Sequence, residues 1–263
     1  MEGQAMLGRI IAAVGVVLGF IAIWVKFLPF QKYSDDGTIL TWLLILGILT
    51  ALLLVGAFAT GRRDLDIAVG AVGGAMFGFY LFLPVLTAFD HWKDLDTGAW
   101  LGVCSGLTVL GALIATWKPM AAAASKPAPM GMLLALVGLV LVFVGIWPKV
   151  SNGQGSYWNT TGLGHSGGIF LIILVVLGVL ALGAAYAGMA VGDVPLLLAA
   201  VTFGFTITLV VGNAFNSLGD LKVGAWLAAV GGILELVGVA GMRKMAMAGA
   251  PAPMTTPAPP PPA

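Results

Sequence analysis

Charged residues are scarce in this chain. Lys, Arg, Asp and Glu make up 9% of the 263 residues, whereas 60% are hydrophobic and the mean hydropathy is +1.05. A soluble domain carries roughly 25% charged residues, so this chain has too few charges to cover a globular surface in water. The net charge of +1 gives no electrostatic basis for binding nucleic acid. The composition indicates a protein that is solvated by the lipid bilayer.

Residues that commonly carry chemistry are also few. One cysteine, Cys104, excludes a disulfide within the chain and a cysteine-based metal cluster. The sequence contains no HExxH, phosphate-binding loop or Ser-His-Asp grouping. Asp90, Asp94 and Asp96 surround His91 in one connection, which we interpret as a solvated loop, because an oxygen-ligand metal site needs several converging ligands. We therefore predict no catalytic residue, no cofactor and no metal site.

Long apolar runs dominate the rest of the chain. A helix needs roughly 20 apolar residues to cross the hydrocarbon core, and barrel strands would alternate polar and apolar residues. These runs do not alternate, so we predict an all-α membrane protein. Its eight transmembrane helices are expected at 7–28, 39–60, 67–88, 98–117, 131–148, 168–190, 194–213 and 223–242.

The second half of the sequence repeats the first. Trp24 and Lys26 recur as Trp147 and Lys149, at an offset of 123 residues. The triplet Phe-Gly-Phe at 77–79 recurs at 203–205, and Gly-Ala-Trp-Leu at 98–101 recurs at 224–227, both at an offset of 126. These matches predict two tandem four-helix repeats. Because each repeat has an even number of spans, the two copies have the same orientation and the repeat is parallel.

The repeats define the predicted domain boundaries. The first covers 1–118 and the second 130–243, joined by an Ala/Pro-rich linker at 119–129. Residues 244–263 form an Ala/Pro-rich tail that we expect to be disordered. We interpret it as a solvated tail, although a proline-binding partner is an alternative.

Charge in the connections sets the expected orientation. Seven Lys and Arg residues lie on the side of the chain termini and five on the other side, which also carries six aspartates. Because cytoplasmic loops are enriched in Lys and Arg, we place both termini in the cytoplasm. We expect a multi-pass protein of the plasma membrane in a bacterial cell.

Glycine is abundant, with 38 residues. Small residues spaced by four allow helix backbones to approach closely in lipid. This spacing predicts helix-packing faces at Gly70, Gly74, Gly78, Gly98, Gly102, Gly106, Gly224 and Gly232. A glycine-lined pore or a dimer face is the alternative for the same residues.

A few polar residues within the spans are candidate site residues. Glu235 is the one acid well inside a predicted span, and a charge there is costly without a partner, a proton or water. We hypothesise an ion pair between Glu235 and Arg9, with a proton or substrate site at Glu235, or a pair with another subunit, as alternatives. Thr206, Thr208 and Asn213 are candidates for lining a cavity, although such residues more often bond to helix backbones.

These features favour a non-enzymatic role. We expect an accessory or scaffold subunit of a membrane complex, whose partners are the lipid bilayer and another membrane protein or a second copy of the chain. The alternative is a small-solute transporter or channel with a site between the repeats. The outer connection 149–168 differs most from its counterpart in the first repeat, so it is a candidate contact surface.

Overall fold

Most of the residues that the structure describes are helical. The computed structural model describes residues 2–28, 31–87, 95–116, 129–152, 154–159, 165–189, 191–212 and 218–248. Within them the helices are α1 (Glu2–Trp24), α2 (Gly37–Thr60), α3 (Arg63–Thr87), α4 (Thr97–Thr116), α5 (Pro129–Gly145), α6 (Ser166–Tyr186), α7 (Val194–Gly212) and α8 (Val223–Ala248). The linker before Pro129, Asn213 and the tail after Ala248 lie outside the described residues.

Six of these helices are long and apolar enough to cross a membrane. They are Ala5–Trp24, Gly37–Thr60, Arg63–Phe82, Ser166–Tyr186, Val194–Val211 and Val223–Met242. The 20-residue helix α4, Thr97–Thr116, and the 17-residue helix α5, Pro129–Gly145, are not among these six. The all-α prediction and the multi-pass membrane character are supported by these six helices.

Local sequence fixes the ends of α2. Asp36 precedes the helix, and its carboxylate accepts hydrogen bonds from the backbone N–H groups of Thr38 at 2.9 Å and Ile39 at 3.1 Å. These are donors that a helix leaves unpaired at its N-terminus. Gly61 follows the last turn in the left-handed conformation, with a φ of 67°, which glycine adopts at no steric cost.

The helices pack most extensively in three pairs. In the first half α1 lies along α4, in the second half α5 lies along α8, and α3 packs against α7 to join the halves. α2 and α6 each lie at the side of their half. On α2 the exposed residues are large and apolar, among them Leu52 and Val55, each 65% exposed. Such a face is suited to lipid.

Two short hairpins interrupt the helical chain. β1 (Lys26–Leu28) pairs with β2 (Gln31–Lys32) after α1, and β3 (Lys149–Ser151) pairs with β4 (Gln154–Ser156) after α5. The sequence predicts only connections at these places, because strands of two or three residues have no readable alternation. Both hairpins lie at the same end of the helix bundle, between an odd-numbered helix and the next one.

Candidate functional site

Glycines repeat along the contact between α5 and α8. On α5, Gly131, Gly138 and Gly145 are seven residues apart, and they face Met242, Glu235 and Ala228 on α8, which are also seven apart. A Cβ atom built at Gly145 would lie 2.7 Å from the backbone N of Ala228. The antiparallel backbones are therefore in contact along the pair.

The same contact is lined by glycine from the other helix. On α8, Gly224, Gly231 and Gly238 are again seven residues apart. Cβ atoms built at Gly231 and Gly238 would each lie 2.6 Å from a carbonyl oxygen of α5. This reciprocal line of glycines is here called the α5–α8 seam, and the four-residue spacing in the sequence identified only Gly224 among its members.

Glu235 lies in the middle of this seam. Its side chain is 1% exposed, and its backbone lies directly against Gly138. A Cβ atom built at Gly178 of α6 would lie 3.3 Å from Glu235 Oε1. The carboxyl group therefore occupies the space where α5, α6 and α8 meet, and the absence of side chains at the two glycines makes room for it.

One hydroxyl group lies beside this carboxyl group. Thr202 of α7 is within hydrogen-bonding reach of Glu235. The Thr202 hydroxyl also donates to the backbone oxygen of Leu198 at 3.0 Å. Glu235 Oε2 has no hydrogen-bond partner, and among the buried side-chain nitrogen and oxygen atoms of the described residues it shares this property only with Trp42 Nε1.

The threonines singled out from the sequence are bonded within their own helix. Thr206 donates to the backbone oxygen of Thr202 at 2.9 Å, and Thr208 to that of Gly204 at 2.8 Å. Both are buried. Thr206 also faces Gly232 of α8, where a built Cβ would lie 2.6 Å from the threonine hydroxyl. Their hydroxyls thus have partners on α7, and Asn213 lies outside the described residues.

Arg9 is paired with a different acid from the one expected. Its guanidinium group donates two hydrogen bonds to Asp66 of α3, Nε to Oδ1 and Nη2 to Oδ2, each at 2.8 Å. The side chains are 13% and 12% exposed. The hypothesis of an Arg9–Glu235 ion pair is therefore wrong. Asp66 belongs to the first turn of α3, just outside the span predicted at 67–88, so it was not among the candidate residues within the spans.

The second hairpin is attached to the start of α8. The backbone N–H of Lys222 donates to Val150 at 2.9 Å, and the Asn152 side-chain amide donates to the Asp220 carboxylate at 2.9 Å. Ser151 and Leu221 form an antiparallel bridge. This hairpin therefore connects the end of α5 to the segment that precedes α8.

Aromatic residues follow the hairpin. Tyr157 is 1% exposed and its hydroxyl lies 3.5 Å from the backbone oxygen of Thr206. Burial raises the pKa of the Tyr157 phenol. The Trp158 ring stacks with His165 at a centroid distance of 5.1 Å and lies 5.1 Å from the Trp147 ring. The outer connection thus has one buried anchor and one partly exposed aromatic stack.

The remaining predicted packing glycines all lie in helix contacts or buried positions. Gly70 is buried on α3. A side chain at any of the others would meet a neighbouring element: Gly102 would meet Tyr80, Gly106 Phe77, Gly98 the backbone of Val25 and Lys26, and Gly224 the backbone of Pro148 and Lys149.

The contact between α3 and α7 is reciprocal. Gly78 lies against the backbone of Val201 and Phe205, and Gly204 lies against the backbone of Ala75. Next to these contacts, on the side toward the start of both helices, a Cβ built at Gly74 would lie 2.9 Å from the Ala200 Cβ. Each helix thus presents glycine to the backbone of the other.

Comparisons with protein-family models, curated proteins and solved structures find no match to this chain. Among the described residues, no group of three or more His, Cys, Asp or Glu side chains is placed to hold a metal ion. Glu235 and the glycine contacts are therefore the features of the structure that bear on the function of the chain.

Proposed function

We propose that this chain is a non-enzymatic accessory or scaffold subunit of a membrane complex. The observation that carries the proposal is the contact of helix backbones in the α5–α8 seam, between α1 and α4, and between α3 and α7. Close backbone contact favours a rigid body. A rigid body with apolar sides is suited to holding partner helices in a fixed arrangement within the membrane.

The proposed architecture has eight spans, with both termini in the cytoplasm. α4 lies along α1, and the shorter α5 lies along α8. Gly98, near the start of α4, contacts Val25 and Lys26 just after α1, and Ser105, about two helical turns further along, donates to the backbone oxygen of Gly15 at 2.6 Å. At 17 residues, α5 is at the lower limit of a spanning helix. Contact along such lengths supports a shared depth in the bilayer.

Corresponding contacts support two parallel repeats within this architecture. Gly98 meets the backbone of Val25 and Lys26, and Gly224 meets that of Pro148 and Lys149. These residues correspond at the offsets of 126 and 123 found in the sequence.

Two further contacts recur in the same way. Gly106 packs against Phe77 as Gly232 packs against Phe203, and Gly15 packs against Val109 as Gly138 packs against Glu235. Gly74 meets Ala200, its own counterpart at an offset of 126. Such reciprocity is typical of two-fold symmetry and supports an axis between α3 and α7.

A specific observation also favours the second candidate, a small-solute transporter or channel. Glu235 lies within a span with one carboxyl oxygen unpartnered, and intramembrane acids commonly mark ion or proton pathways. The site lies within the second half, beside α7, which forms the contact between the halves.

The two candidates are separated by purification in mild detergent, followed by mass spectrometry of companions present in constant ratio. A scaffold subunit retains such a companion. We expect replacement of Trp158 by Ala, or truncation after Ala248, to weaken that association, because these changes alter the outer aromatic stack or the tail. Glu235→Gln is the matched control and is expected to leave the association unchanged.

Isolation of the chain alone, or only with copies of itself, contradicts the scaffold proposal. Solute flux into vesicles containing the purified chain, lost in Glu235→Gln, would then support the transporter.

A further inference from the structure

We propose that Glu235 is a proton-binding site in the membrane interior, held as a neutral carboxylic acid beside the Thr202 hydroxyl group. The ligand is the proton itself. The inference goes beyond the scaffold role and does not depend on it.

The burial of Glu235 sets the electrostatic requirement. Its side chain is 1% exposed and lies at the centre of the Val223–Met242 span. An ionised carboxylate at such a place pays a large desolvation cost unless a cation or several donors compensate it. Binding a proton removes the charge at the site.

No cation is available from the helices that surround the carboxyl group. The sequences of α5 and α7 contain no titratable side chain, and α6 contains only Tyr186 at its far end, 56% exposed. On α8 itself the basic residues are Arg243 and Lys244, more than two helical turns from Glu235. Arg9 is already held by Asp66.

The hydrogen-bond pattern of Thr202 fits a neutral acid. A hydroxyl group has one hydrogen to donate and lone pairs that accept. Thr202 gives its hydrogen to the backbone oxygen of Leu198 at 3.0 Å, so its oxygen is left to accept one from Glu235. A carboxylate has no hydrogen to give, and would compete with Leu198 for the one that Thr202 carries.

The polar pair is confined to one half of the chain. At the offset of 126, the counterparts of Glu235 and Thr202 are Val109 and Met76, both apolar and buried. This comparison rests on the proposed repeat. Because the same helix contact forms with Val109, packing alone does not require an acid, which supports a separate role for Glu235.

Infrared spectroscopy of the purified full chain in lipid vesicles tests the proposal directly. A protonated carboxylic acid has a C=O stretching band that a carboxylate lacks. We expect wild-type protein to show this band at neutral pH, to lose it reversibly as the pH is raised, and to lack it in Glu235→Gln. Asp35→Asn, which removes an exposed acid, is the matched control and retains the band.

The proposal is overturned if Glu235→Gln leaves the neutral-pH band unchanged, or if the band persists until the helical signal is lost. Thr202→Val is expected to shift the band to higher frequency, while Thr202→Ser leaves it in place; an unchanged band in Thr202→Val overturns the part assigned to Thr202.

A second measurement covers the case in which Glu235→Gln does not fold. Wild-type protein is treated with a hydrophobic carbodiimide, which reacts with protonated carboxyl groups, and the modified peptide is identified by mass. We expect modification at Glu235 that slows at high pH. Absence of modification at neutral pH overturns the proposal. Neither measurement needs a partner protein, so the outcome of each is independent of the purification experiment that tests the scaffold proposal.

Discussion

Arg9 on α1 binds Asp66 on α3 through two parallel hydrogen bonds, in the fork geometry that a guanidinium and a carboxylate form most favourably. Both residues lie near the start of their helices, at the same end of the bundle. The pair therefore joins α1 to α3 at this end of the bundle, and it leaves the acid in the α5–α8 seam without a cation.

Removing one member of this pair should destabilise the fold. Arg9→Met leaves Asp66 without its partner in a site only 12% exposed. Breaking a fully buried pair costs about 3–5 kcal/mol, and we expect about 2–3 kcal/mol here because some solvent contact remains. Equilibrium unfolding in mixed detergent micelles measures the change.

The neighbouring exposed pair is the control for this measurement. The side chains of Arg62 and Asp64 are 65% and 49% exposed, so Arg62→Met should have little effect on stability because solvent screens this pair. The double variant Arg9→Met with Asp66→Leu should recover part of the loss. A cost for Arg9→Met no greater than that for Arg62→Met would contradict a structural role for the buried pair.

Two glycines on α8 should respond oppositely to replacement by alanine. A Cβ built at Gly238 would lie 2.6 Å from the Gly131 carbonyl oxygen, whereas one built at Gly241 meets no atom within 4 Å. We expect Gly238→Ala to destabilise by about 1–3 kcal/mol through overpacking. Gly241→Ala should be neutral or stabilising by up to about 1 kcal/mol. Equal unfolding midpoints for the two variants would argue against the α5–α8 seam.

Tyr157 should make the fold sensitive to alkali. Burial raises the pKa of its phenol above the ordinary value of about 10, so the unfolded chain loses this proton at a lower pH than the folded chain does. The contribution of the neutral Tyr157 phenol to the free energy of unfolding is therefore complete below about pH 10. It is lost as the pH rises further, by about 1.4 kcal/mol for each pH unit. We expect Tyr157→Phe to reduce this loss, as measured by unfolding at pH 9 and pH 11.

Tyr186, which is 56% exposed, supplies the control for the alkaline measurement. Tyr186→Phe removes a phenol group from the surface, so it controls for the loss of a tyrosine as such. If Tyr157→Phe and wild type lose the same stability between the two pH values, Tyr157 is not the source of the effect.

The proposed eight-span topology predicts which side of the membrane each connection occupies. After replacement of Cys104 by Ser, single cysteines at Lys149, Thr60 and Ser125 are treated with a membrane-impermeant maleimide on intact cells. We expect reaction at Lys149→Cys alone, because Thr60 and Ser125 are cytoplasmic in this topology. Six spans without α4 and α5 would place Ser125 outside, so reaction at Ser125→Cys would contradict eight spans.

The helix positions were predictable because lipid allows few backbone conformations. Apolar run 39–60 corresponds to α2 at Gly37–Thr60, and run 223–242 lies within α8 at Val223–Ala248. A run of this length in the bilayer has to satisfy its own backbone hydrogen bonds, so the sequence leaves only a helix. The two hairpins lie between the apolar runs, where the bilayer does not impose a helix. Their strands of two or three residues are too short to show an alternation of polar and apolar residues.

The pairing of side chains was not predictable in the same way. Arg9 and Glu235 were matched because each lacks a counterpart in the other repeat, but a loss of symmetry at two positions does not bring them together. Asp66 lies at the same end of the bundle as Arg9, and a comparison of depth rather than of symmetry would have favoured it. The α5–α8 seam was readable, since Gly131, Gly138 and Gly145 repeat every seven residues.

The pairing of α1 with α4 and of α5 with α8 has a consequence for the order in which the protein is made. The first helix of each half reaches the membrane while its main partner is still unsynthesised. Until the fourth helix of the half is inserted, Gly15 and Gly138 therefore contact lipid or helices of the insertion machinery. Each half then closes in one late step, and a ribosome that stalls before α8 leaves Gly131, Gly138 and Gly145 exposed to whatever helix is nearest.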